Sequence, residues 1–134
     1  MRNVYRSVFL RKTFVLTNVS LVESLQLGAI VDDGFVAWIN GTEVHRVNMS
    51  GAPGSGVTID TLAINAAEPV SFANYALFSP TYLREGTNVI TVQVFQSALA
   101  SSDLVFDASL EAIRRDPPPT NLPLSVAMTI PPTG

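Results

Sequence analysis

Residues 32–41, Asp-Asp-Gly-Phe-Val-Ala-Trp-Ile-Asn-Gly, constrain the fold of this chain more than any other stretch. Asp33-Gly34 is a dipeptide suited to positive φ, and it predicts a tight hairpin turn. Hydrophobic side chains then occupy both alternating sets of positions from 35 to 39, which is typical of a strand packed on both faces. Asn40-Gly41 predicts a second turn directly before Thr42. The segment therefore predicts an all-β protein.

Strand patterns recur along the chain and are separated by turns rich in glycine, asparagine, aspartate and serine. The predicted strands cover residues 4–16, 21–31, 35–40, 42–47, 70–77, 89–96 and 104–113. Short strands at this spacing favour an antiparallel β-sandwich over other folds, although a barrel has a similar pattern. Between the fourth and fifth strands, residues 48–69 have the composition of a flexible loop.

Composition excludes several classes of function. The 134 residues are 47% hydrophobic and 14% charged, which fits a single well-packed domain. Eight Lys and Arg against eleven Asp and Glu provide no basic surface for nucleic acid. The absence of cysteine excludes disulfides, thiolate metal sites and a cysteine nucleophile. No apolar run approaches the roughly 20 residues that a membrane-spanning helix requires.

The C-terminal part of the chain changes character. Charged residues end at Asp116, and six of the nine prolines lie between positions 117 and 132. We therefore predict a sandwich over 1–113, a proline-rich linker over 114–121 and, over 122–134, the start of a following module. Neighbouring modules of the same chain are then expected partners.

Four motifs carry a resemblance to a known class of domain. They are Val-Asp-Asp-Gly at 31–34, Trp-Ile-Asn-Gly-Thr-Glu-Val at 38–44, Leu-Arg-Glu-Gly-Thr-Asn-Val-Ile at 83–90, and Ser-Ser-Asp-Leu-Val-Phe-Asp at 101–107. In this order they resemble the galactose-binding-like jelly-roll modules, which include carbohydrate-binding modules. The resemblance covers about residues 5–113, and residues 122–134 resemble the start of a bacterial Ig-like domain.

The resemblance implies a non-catalytic jelly roll in a secreted, multimodular bacterial protein, with polysaccharide or another glycan as its ligand. Residues 32–41 also resemble the sugar-binding PA14 type of β-sandwich, in which an Asp-Asp pair holds calcium. The runner-up function is a structural spacer or adhesion domain that binds no small ligand. Both functions are compatible with the same fold.

Two acidic pairs are candidate calcium ligands, because Ca²⁺ is bound by carboxylate and carbonyl oxygens in turns. The first pair is Asp32 and Asp33, and the second is Asp103 and Asp107, near the final strand where galactose-binding-like folds often hold a structural calcium. The alternative for the first pair is that the two side chains shape the turn and cap backbone N–H groups. The alternative for the second pair is that both carboxylates are solvated.

The candidate glycan-binding side chains are aromatic platforms and polar groups that bond hydroxyls. They are Trp38, Asn40, Arg46, Tyr75, Tyr82, Gln93 and Phe95. Trp38 would stack on a sugar ring if exposed, but its hydrophobic neighbours favour a place in the core. Phe95 follows the polar positions Thr91 and Gln93 on what should be the outer face of its strand.

Catalysis is not expected. His45 is the single histidine, and the chain has no cysteine with which it could form a zinc site. Adjacent Asp32 and Asp33 are poorly placed to act as the separated carboxylate pair of a glycosidase. We therefore predict a binding or structural module that is not an enzyme.

Overall fold

The computed structural model describes residues 3–68 and 71–116. Over these residues the chain forms seven strands and one short 3₁₀ turn, Val19–Leu21. The strands are β1 (Ser7–Leu16), β2 (Val22–Asp32), β3 (Gly34–Ile39), β4 (Thr42–Val47), β5 (Ala73–Phe78), β6 (Gly86–Phe95) and β7 (Val105–Arg114). Each predicted strand is present, and the ends agree to within about three residues.

The strands form two antiparallel sheets. The larger sheet has the order β1-β6-β3-β4, and the smaller has the order β5-β2-β7. The two sheets pack face to face around a shared apolar core, so the prediction of an antiparallel β-sandwich is confirmed. Among the described residues, no helix has the length and hydrophobicity needed to cross a membrane.

The two turns predicted around β3 differ in outcome. Asn40 and Gly41 have φ values of 50° and 85°, and Ile39 pairs with Thr42, so the two-residue hairpin turn is confirmed. The hairpin predicted at Asp33-Gly34 is wrong, because β2 and β3 belong to different sheets. The chain crosses from the smaller to the larger sheet at Asp33, through a cis Asp32–Asp33 peptide.

Gly34 is required at this crossing for space. A Cβ atom built on Gly34 would lie 2.9 Å from the backbone oxygen of Val47 and 3.1 Å from the sulfur of Met49. The backbone oxygen cannot move aside as the end of a long side chain could, so a larger residue would displace the end of β4 or the start of the following loop.

The main core lies between the sheets. Phe35, Ala37 and Ile39 of β3 are fully buried there, opposite Leu25 and Leu27 of β2. Because successive strand residues point to opposite faces, Val36 and Trp38 lie on the other side of the larger sheet.

A second apolar cluster forms on that outer face. Residues 48–68, which we call the covering segment, run over it between β4 and β5. Their Met49 and Ala63 bury Val36 and Phe95, and Trp38 packs against this cluster. Strand β3 is therefore packed on both faces, as its sequence predicts.

The predicted proline-rich linker lies largely, and the predicted start of a following module wholly, outside the described residues. Strand β7 ends at Arg114, and the described chain continues to Asp116. The predictions for residues 117–134, including the Ig-like start, are not addressed by the structure.

Candidate functional site

Three carboxylates from distant parts of the chain meet at one end of the sandwich. Asp32 ends β2, Glu68 ends the described part of the covering segment, and Asp103 lies in the β6–β7 loop. One carboxylate oxygen from each lies within 4.8 Å of the others. The structure thus brings together one residue from each predicted acidic pair and adds Glu68, which the sequence analysis did not identify.

Asp33 and Asp107, the other members of those pairs, lie outside this cluster. The carboxylate of Asp33 accepts hydrogen bonds from the backbone N–H of Ala67 at 2.7 Å and of Ser97 at 2.6 Å. Asp33 therefore fixes the ends of the two loops that carry Glu68 and Asp103. Asp107 is exposed on β7, and its carboxylate accepts the N–H of Ala108 at 2.8 Å.

The cluster is electrostatically unfavourable without a positive charge. The pKa of the Asp32 carboxyl is raised from 3.8 to about 6, chiefly because Asp32 is only 2% exposed and also because of the nearby charges of Asp33, Asp103 and Glu68. Asp33 is also buried, but the hydrogen bonds from Ala67 and Ser97 outweigh burial and lower the pKa of its carboxyl. Asp32 is therefore the carboxylate of the site whose ionised form is destabilised.

Two buried acceptor oxygens near the cluster lack hydrogen-bond partners within the described chain. One is Oδ2 of Asp32, and the other is Oε1 of Gln96. Gln96 lies beside the cluster, since its Nε2 donates to the backbone oxygen of Asp103 at 3.3 Å. Buried acceptors without donors are costly, and carboxylate and amide oxygens are the ligands that a hard cation such as Ca²⁺ prefers. The residues present therefore fit a divalent cation.

A groove of about 550 Å³ crosses the outer face of the larger sheet. Its floor contains Trp38, Thr91 and Gln93, Phe9 stands at one side, and residues 54–57 of the covering segment form a wall. Strand register explains this grouping, since Trp38 pairs with Thr91 and Phe9 pairs with Gln93. Phe9 is 58% exposed, whereas Trp38 is half-buried, so Trp38 lies neither fully in the core nor fully on the surface.

Gln93 lines the groove, but its amide nitrogen is already hydrogen-bonded within the domain. Its side chain is buried, and Nε2 donates to Oγ of Ser7 at 3.0 Å and to the backbone oxygen of Thr58 at 3.1 Å. These bonds attach the covering segment to the sheet beside the groove.

The remaining predicted ligand-binding residues make structural contacts. Asn40 donates from Nδ2 to the backbone oxygen of Tyr82 and to Oδ1 of Asn88, both at 2.8 Å, and accepts the N–H of Val89 at 3.0 Å. Tyr82 is half-buried against the main core, and burial raises the pKa of its hydroxyl. Arg46 binds Glu43 and two carbonyl oxygens of the covering segment.

Tyr75 and Phe95 are also placed by packing. Tyr75 stacks on His45, with ring centroids 4.2 Å apart, and meets the edge of Phe35. Phe95 lies on the predicted outer face of its strand, but the prediction that it is available as a platform is wrong, because the covering segment buries it completely.

Phe9 and Thr91 were not identified as site residues from the sequence. Phe9 lies in a strand with alternating side chains, so the face of the sheet on which it lies could be predicted. The residues beside it could not, because they depend on the pairing of β1 with β6 across more than eighty residues. Glu68 follows two alanines in an irregular segment and has no local signal.

Comparisons with known proteins do not assign this chain to a family. No family model and no curated protein match it. Among solved structures, the chain is similar to a β-D-mannosidase from Dictyoglomus thermophilum, at 18% identity and a TM-score of 0.43. The match covers 66% of this chain and 9% of the mannosidase chain.

Proposed function

We propose that this domain is a non-catalytic carbohydrate-binding module of a larger secreted protein, and that a glycan binds in the groove beside Trp38. The observation that carries the proposal is the pairing of two accessible aromatic side chains with polar groups on one sheet face. Phe9 of β1 and Trp38 of β3 offer ring surfaces on either side of β6, beside Gln93 and Thr91 respectively.

Sugar rings suit such a surface. The C–H face of a pyranose packs on an aromatic ring, while its hydroxyls need hydrogen-bond partners at the edge. The hydroxyl of Thr91 and the backbone of Gly56 and Val57 line the groove and would supply those partners.

The charges near the groove favour a neutral glycan and argue against hydrolysis. Glu43 is the one carboxylate among the described groove residues. Its oxygens accept from Nε and Nη2 of Arg46 and from the N–H of Gly54. A glycosidase needs two carboxylates free to exchange protons or attack the sugar, so this arrangement supports binding alone.

The acidic cluster completes the proposal with a bound Ca²⁺. Asp32, Glu68 and Asp103 would provide carboxylate oxygens, and the cation would neutralise their mutual repulsion. Such an ion would link β2, the covering segment and the β6–β7 loop.

A structural spacer remains the second candidate. It is favoured by the structural contacts of Asn40, Arg46 and Tyr75, which remove three predicted ligand-binding side chains from the surface available to a sugar.

Binding to a panel of soluble polysaccharides, measured by affinity electrophoresis and calorimetry, separates the two. We expect Phe9→Ala and Trp38→Ala to weaken binding at least tenfold. Phe78→Ala is the matched control, because Phe78 is 74% exposed on the smaller sheet. Binding that is unaffected by changes at Phe9 and Trp38 would contradict the proposed site, and no binding to any glycan would favour the spacer.

A further inference from the structure

We propose that cation binding at Asp32, Glu68 and Asp103 fixes the covering segment and thereby sets the affinity of the groove for its glycan. This inference rests on the proposed function, because it joins the proposed cation site to the proposed glycan site. It adds a coupling between them that neither site requires.

The covering segment belongs to both sites. Its last described residue, Glu68, contributes a carboxylate to the acidic cluster. Its residues 54–57 form a wall of the groove. A change in the position or mobility of one end is therefore able to reach the other along a single stretch of backbone.

The segment is held by hydrogen bonds in turns and to the sheets, and not by regular secondary structure. It contains no helix or strand, and Met49 and Ala63 are its only side chains that are buried in the described chain. Its position depends on polar attachments along its length, among them Thr58 to Gln93, Ile59 to Ser7 and Ala63 to Gln96. A segment held by such contacts opens at lower free-energy cost than the core strands, and a cation at Glu68 would add one attachment to the set.

Attachments exist at both ends. At the acidic end, Asp33 accepts the N–H of Ala67, and Nδ2 of Asn48 donates to the backbone oxygens of Asp33 and Asn65. At the groove end, Glu43 accepts the N–H of Gly54 at 2.9 Å. The groove wall is thus attached to β4, and the acidic end is attached to the crossing between the sheets.

The charge of Glu68 makes the acidic end sensitive to a cation. Without a cation, the carboxylates of Asp32 and Asp103 repel Glu68 and oppose the attachment made by Ala67. With a cation, the same three groups attract one centre. The buried Oδ2 of Asp32, which lacks a donor in the described chain, is the second observation that points to a ligand at this place.

Coupling of this kind is reciprocal. If calcium raises the affinity for glycan by some factor, glycan must raise the affinity for calcium by the same factor. Typical couplings between distinct sites amount to about 5-fold to 150-fold.

Trp38 is the single tryptophan, so its fluorescence reports on the groove without a label. We would titrate CaCl₂ into the full chain, follow Trp38 emission and hydrogen exchange at residues 54–57, and measure calcium binding by calorimetry. We expect calcium to shift the emission, to slow exchange in the groove wall, and to raise glycan affinity at least 5-fold. Glu68→Gln should remove these effects, whereas Glu111→Gln, on the exposed face of β7, should retain them.

The outcomes distinguish this inference from the proposed function. Calcium binding that leaves Trp38 emission, exchange at 54–57 and glycan affinity unchanged would overturn the coupling alone. Absence of calcium binding would overturn the cation site together with the coupling. Because emission and exchange need no glycan, a failed glycan panel removes the proposed ligand while the link between cation and groove wall is still decided.

Discussion

Glu43 and Arg46 form a two-point ion pair on the edge strand β4, with Nε to Oε1 at 2.6 Å and Nη2 to Oε2 at 2.7 Å. Their side chains are only 6% and 7% exposed. Arg46 also donates to the backbone oxygens of Ser50 and Ser55. The hydrogen bonds from Arg46 lower the pKa of Glu43 in spite of burial, so this carboxylate is charged at neutral pH.

Removal of one partner should therefore be costly. Glu43→Gln leaves the Arg46 guanidinium buried without a countercharge, and we expect a loss of about 3 kcal/mol in the free energy of unfolding. Urea unfolding measures this loss, and Glu23→Gln on an exposed position of β2 is the control. The double variant Glu43→Gln/Arg46→Met should recover part of the loss; equal effects of Glu43→Gln and Glu23→Gln would show that the pair is not important for stability.

Calcium should stabilise the domain. An ion that binds only the folded state at a hundredfold excess over its Kd adds about 2.7 kcal/mol. Differential scanning calorimetry with CaCl₂ and with EDTA tests this, and Asp103→Asn should reduce the difference strongly. Asp107→Asn is the matched control, because Asp107 lies on the neighbouring strand but outside the cluster. A melting temperature that is insensitive to EDTA would contradict the cation site.

Stability without calcium should depend on pH through Asp32. Its pKa in the folded state is raised from 3.8 to about 6, so its favourable contribution is complete below the unfolded value and is lost as pH rises through about 6. Urea unfolding in EDTA should therefore show Asp32→Asn to gain stability relative to the parent chain between about pH 4 and pH 6.5. An unchanged difference between the two proteins over that range would contradict the assignment.

Asn88 should be important for the fold because its side chain is completely buried and fully engaged. It accepts from Asn40 and from the N–H of Arg84, and it donates to the backbone oxygens of Arg84 and Gly86. Asn88→Ala should cost about 3 kcal/mol, since several buried groups lose their partner. The exposed Asn74→Ala on β5 should cost less than about 0.5 kcal/mol. Similar unfolding midpoints for the two variants would contradict this role.

Local signals were sufficient to predict the strands and one turn. Alternation from 35 to 47 and the Asn40-Gly41 dipeptide act over neighbouring residues, so the hairpin could be predicted from them alone. The Asp33-Gly34 dipeptide has the same local chemistry, yet it serves a crossing between sheets. Which of the two occurs depends on where β2 finds its partners, and that information is not local.

The candidate sites depend on contacts between distant parts of the chain. Asp32 and Asp103 could be selected by residue type, but their meeting with Glu68 requires two loops to fold back on the end of β2. Phe95 was assigned to the correct face and was still placed wrongly with respect to solvent, because an irregular segment with no periodic pattern covers it. Long-range pairing, which sequence periodicity does not encode, therefore accounts for most of what could not be predicted.

The two apolar clusters lie on opposite faces of the larger sheet, and this separation has an evolutionary consequence. Substitutions in residues 48–68 reshape the outer surface while the packing between Phe35 and Leu27 is left intact. Evolution can therefore change the outer surface of the domain without changing the architecture beneath it.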